Sequence, residues 1–155
     1  MTAEQSGAHD RGQARVDARV LWSGGLATAL VAALVALVGV LVFRGVLDIQ
    51  ILAPESEGTW GDASTTYLTV GSAVAALVAT GLAHLLLLSA PRALSFFGWI
   101  VGLATLAVAI APFATEASAA TKIATAIVYL VIGIAILSLV TGVARLAISR
   151  GRRGA

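Results

Sequence analysis

The sequence predicts an all-α fold, an integral membrane bundle of four transmembrane helices with both termini in the cytoplasm, and three observations carry that expectation. Val20 to Phe43 is an apolar run with no ionisable residue between Arg19 and Arg44. At ~1.5 Å rise per residue a helix of that length exceeds the ~30 Å hydrocarbon core of a bilayer. Three later stretches resemble it. The composition agrees: of 155 residues 59% are hydrophobic and 12% charged, with a mean hydropathy of +0.96, against roughly 25% charged residues in a soluble domain.

In chain order, residues 1–19 are small, polar and of mixed charge without apolar periodicity, and they are expected to form a disordered cytoplasmic tail. The first span, residues 20–43, is too long for the ~7–15-residue apolar region of a secretory signal and is expected to be an uncleaved anchor. Trp22 at its start suits an interface. Residues 44–66 form the expected outer loop, ended as a helix by Ala53-Pro54 and carrying Asp48, Glu55, Glu57 and Asp62. Arg44 and Asp48 stand one turn apart, a spacing that lets the first helix continue past Arg44.

The second span covers about residues 67–88 and ends at Ser89-Ala90-Pro91-Arg92, where proline disfavours helix. The third, residues 93–113, must therefore return antiparallel beside it, and Pro112 with the small polar stretch 114–121 closes it. The fourth covers residues 123–146, and a basic tail follows at 149–155. Residues 20–148 thus make one membrane domain.

Orientation comes from the basic residues. Arg11, Arg15, Arg19, Arg92, Arg145, Arg150, Arg152 and Arg153 fall on one side of a four-span arrangement, whereas the other side has only Arg44 and Lys122. The positive-inside rule places the first side, with both termini, in the cytoplasm of a bacterial cell membrane. Arginine outnumbers lysine nine to one, and alanine, valine, leucine and glycine are abundant, which is the usage of a GC-rich genome.

Helices in lipid associate through close backbone approach, and small residues mark where. The first span offers Gly25, Ala29, Ala32, Ala36 and Gly39 as one stripe; the second offers Gly71, Ala75, Ala79 and Ala83. Gly98 and Gly102 form a GxxxG pair in the third, and Ser138 and Gly142 a looser pair in the fourth. These are the expected packing faces.

His84 is the one ionisable residue well inside a span, and such residues point to function because hydrocarbon disfavours them. Thr80 lies one turn before it. With Thr105 in the third span and Tyr129 in the fourth, they are candidates for a polar seam. Cysteine is absent, which excludes disulfides, thiol nucleophiles and thiolate-ligated metal. The sequence holds no HExxH, GxSxG or phosphate-binding loop and no carboxylate pair within a span, so neither an enzyme nor a cofactor or metal site is expected. The acidic loop lacks the spacing and turn glycine of a calcium loop.

The second half resembles a family of small actinobacterial four-helix membrane proteins of uncharacterised function. The likeness rests on Trp99 near the start of the third span, Pro112 closing it, the small polar loop 114–121, and the ending Gly142-Val143-Ala144-Arg145. This chain has Tyr129 where the family often has a histidine, and Ser138 near a frequent proline. The resemblance implies a cytoplasmic-membrane location and four spans, and no activity.

The expected role is a structural or accessory component of a membrane complex. The alternative is a small transporter or channel subunit using the seam around His84. Expected partners are the lipid bilayer, anionic lipids at the cytoplasmic face, and another membrane protein or a second copy of the chain; nucleic acid is not expected.

Overall fold

The computed structural model describes residues 17–49, 51–54, 60–62 and 65–153. Its helices are α1 (Ala18–Val40), α2 (Thr65–Ser89), α3 (Ala93–Ile110) and α4 (Ala119–Arg153). A π-helical stretch, Leu41–Val46, prolongs α1, and a 3-10 turn, Ala111–Ala114, prolongs α3. All four helical segments are long and apolar enough to cross a membrane. The protein is a multi-pass membrane helix bundle.

Several boundaries differ from those expected, each for a local reason. The expected disordered tail, as far as residue 16, lies outside the described residues, but Asp17 to Arg19 are structured. The Asp17 carboxylate accepts hydrogen bonds from Arg19 N at 3.1 Å and Val20 N at 3.3 Å. It thereby satisfies two of the N–H groups that a helix start leaves without partners. At the other end Arg44 does not stop the helix, which widens through Val46. Asp48 ends it with a φ of 53°, the left-handed region that aspartate tolerates better than most residues.

The loop 44–66 is not wholly irregular. Strands β1 (Leu52–Pro54) and β2 (Trp60–Asp62) pair antiparallel with Leu52 opposite Asp62 and Pro54 opposite Trp60. Glu55 and Glu57 of the expected acidic face lie outside the described residues.

Pro91 separates α2 from α3. Pro112, having no N–H to give, coincides with the change from α to 3-10 geometry. The Ser118 hydroxyl accepts from Thr121 N at 3.2 Å, so α4 starts before the expected Ile123. It also runs beyond Leu146 through most of the expected basic tail.

Helix α4 is the shared wall of the bundle. Ala124, Val128, Ile132, Ile136, Val140, Ala144 and Ala147 are buried along it at steps of three and four. Helix α1 packs antiparallel on this wall, with Gly24 against Val143 and Gly39 against Val128. Near the chain ends Asp17 N donates to Ala147 O at 3.4 Å, so the start of α1 and the end of α4 lie on the same side. Helix α2 packs against α1, where Ser72 lies within hydrogen-bond reach of Ala32 O at 3.1 Å.

Helix α3 is attached more sparingly: Ala93, Phe97 and Ala109 are its buried residues. Phe97 is nevertheless fully enclosed, and Thr105 lies directly on Gly133 of α4.

Candidate functional site

The expected packing residues divide sharply. Gly25, Ala29, Ala32 and Ala36 are buried in α1, and Gly39 is half-buried against Val128. A Cβ added at Gly25 would stand 2.5 Å from Thr80 Cγ2 and 2.8 Å from its Oγ1. On α2 the buried row is Leu68, Ser72, Ala76, Thr80 and Ala83 with Ala79, while Gly71 and Ala75 are exposed. The expected stripe of α2 is therefore displaced by one position at its first two members. Gly98 and Gly102 meet nothing: a Cβ at either has no atom within 4 Å among the described residues.

The four candidate seam residues form two separate pairs. Thr80 is 1% exposed; its hydroxyl donates to Ala76 O at 2.9 Å and its methyl faces Gly25. One turn on, His84 lies beside Trp22 of α1, with ring centroids 6.5 Å apart and planes inclined by 56°. Its Nδ1 is buried without a hydrogen-bond partner among the described residues. Thr105 and Tyr129 stand elsewhere, on the side of α2 opposite Thr80 and His84, where α2, α3 and α4 enclose a groove of about 490 Å³. No continuous polar seam joins His84 to Tyr129.

That groove is lined by seventeen residues from the three helices. Tyr67, Val108 and Tyr129 line it at the hairpin end, and Leu82, Ile100 and Ile136 line it deeper in the bundle. Gly71 and Ala75 on α2 and Ala104 on α3 hollow its walls. Its size and mostly apolar lining with a few polar groups are those of a ligand pocket. A second groove, about 440 Å³, lies between α1 and α4 and is lined by apolar residues and Gly39 alone.

At the hairpin end, α4 also grips the loop. Leu52 N donates to Thr125 Oγ1 at 3.1 Å, and Tyr129 OH donates to Leu52 O at 3.2 Å. Thr125 and Tyr129 are one turn apart, so a single face of α4 satisfies both backbone groups of one strand residue. Ile51 beside it is fully buried in the main core. The sequence singles out Tyr129 as a polar residue within a span but carries no signal for Leu52 as its partner.

Among the described residues no three His, Asp or Glu side chains come together as a metal site would require.

A family model described as a family of unknown function, DUF6069, matches residues 16–146. No curated protein and no solved structure matches the chain.

Proposed function

The chain belongs to the DUF6069 family, whose function is unknown, and from that premise we propose that it is a non-enzymatic accessory component of a membrane complex, presenting α3 to its partner. The observation that carries this reading is the contrast in glycine use. Gly24, Gly25 and Gly133 face side chains of neighbouring helices within the chain; Gly71, Gly81 and Gly142 stand in open space singly, whereas Gly98 and Gly102, one turn apart, leave a paired close-approach face on α3 open. Trp99, Leu103 and Leu106 beside them are exposed, and Trp99 is 70% exposed. Close approach at small residues is the main means by which helices associate in lipid.

The orientation we propose, with both termini cytoplasmic in a cell membrane, rests on the arginine distribution. Single cysteines introduced by Ser6→Cys and Ser56→Cys in this cysteine-free chain test it. A membrane-impermeant thiol reagent added to intact cells should label position 56 and spare position 6; the reverse pattern removes the orientation.

The assembly is tested by native mass spectrometry of the protein gently extracted from its own membrane. A reproducible heteromeric mass that disappears in the Gly98→Leu/Gly102→Leu variant supports the accessory reading. A bare monomer, or a complex indifferent to the double substitution, overturns the proposed surface. A transport role through His84 has no comparable support, since Thr80 and His84 face α1 whereas Thr105 and Tyr129 line the groove on the opposite side of α2.

A further inference from the structure

We propose that the groove between α2, α3 and α4 is a binding site for one acyl chain of a membrane phospholipid, drawn from the leaflet on the hairpin side. The groove differs from an ordinary lipid-facing surface in being walled on three sides. From Tyr67 to Leu82 it follows α2 for sixteen residues, about 22 Å at helical rise. One leaflet supplies roughly 15 Å of hydrocarbon plus an adjoining headgroup zone. The length therefore fits one lipid reaching from headgroup to bilayer midplane.

The lining has the matching polarity. Two tyrosines, Tyr67 and Tyr129, line the hairpin end, and Tyr67 is 53% exposed. Tyrosine suits the level of the headgroups. The deeper end, at Leu82, Ile100 and Ile136, is wholly aliphatic. An apolar tail below and a polar group above are what such a gradient accepts.

The shape decides against a helix as occupant. The short turn through Pro91 keeps α3 beside α2, and Thr105 rests directly on Gly133 of α4 at the groove's floor. A helix is 10–12 Å across with its side chains, so one could enter between α2 and α3 only by lifting Thr105 off Gly133. A flexible hydrocarbon chain needs only the slot that Gly71, Ala75 and Ala104 leave.

Native mass spectrometry of the full chain reconstituted with phosphatidylglycerol tests this site. At collision energies that strip the remaining lipids, the wild type should retain one phospholipid per chain. Gly71→Leu places a side chain in the groove where no atom lies within 4 Å of a new Cβ, and retention should fall at least tenfold. Gly142→Leu, equally uncrowded but outside the groove, should keep it. No retained lipid, or equal loss in both variants, overturns the proposal, as does a retained second protein chain.

A measurement on the wild type alone guards against misfolding of the Gly71 variant. Phosphatidylglycerol with a photoreactive group midway along its tail should label residues 71–82 and 100–108 in preference to exposed positions of α1. Labelling spread evenly over outward faces overturns the site. Because neither experiment involves Gly98 or Gly102, failure here is distinguishable from failure of the accessory reading.

Discussion

Helices α1 and α3 are similarly apolar and rich in small residues, yet they use those residues in opposite ways. Along α1, Gly24 and Gly25 are occupied by Val143 and Thr80, and Ala32 and Ala36 are completely buried. Along α3, Gly98 and Gly102 face open space, the buried residues are Ala93, Phe97 and Ala109, and Thr105 is seated on Gly133 of α4. A small residue in a membrane helix therefore marks a capacity for close approach; whether the neighbour comes from the same chain depends on the rest of the bundle. The α1 seam builds the fold, and α3 leaves a face available.

The widest test of this difference is one substitution made on both helices. Gly25→Leu is expected to cost about 3 kcal/mol, the upper part of the usual overpacking range, because Thr80 has no room to withdraw. Gly98→Leu should change the stability of the isolated chain by less than ~0.5 kcal/mol. Unfolding of the protein from mixed micelles measures both, and equal losses would erase the distinction.

A second test asks whether the loop belongs with the tight region. Ile51→Ala removes a fully buried side chain and should cost about 2 kcal/mol, the lower end for such truncations. A loss below ~0.5 kcal/mol would return the loop to the open side of the comparison. Smaller effects are expected for Thr125→Val and Tyr129→Phe, at about 0.6–1 kcal/mol each. The sharper readout for Thr125→Val is hydrogen exchange at the Leu52 amide, which should accelerate as its acceptor disappears. The smallest effect belongs to His84→Phe. Its Nδ1 has no hydrogen bond to lose, so stability should stay level or rise by about 0.5 kcal/mol. A loss above 1 kcal/mol would mean that the imidazole holds a partner on the α1 side.

The spans were legible because a bilayer demands long apolar runs, and Pro91 and Pro112 mark breaks that any helix must respect. Facing was harder. In a soluble helix the polar side identifies the buried one, but lipid is as apolar as the bundle interior, so the two faces of α2 read alike. Its alanines offer neighbouring rows, and the structure selects the one in which Ser72 reaches Ala32 O and Thr80 meets Gly25. The same ambiguity made Gly98 and Gly102 look like an internal face. Caps were missed because Asp17 and Ser118 lie in polar stretches without periodicity. The Leu52 anchor was illegible for another reason: it uses backbone groups, and any residue at that position would offer them.

That anchor also orders events during synthesis. Leu52 is separated by 73 residues from Thr125 and by 77 from Tyr129. When the first two spans have entered the membrane, the loop between them has no helix to hold it. Its hydrogen bonds to Thr125 and Tyr129 form only after the ribosome has delivered α4, so a docked loop records that α4 has arrived. A nascent chain halted after α3 would display the same loop without the two hydrogen bonds that Leu52 makes to α4. The hairpin end thus distinguishes a chain that has inserted α4 from one that has not.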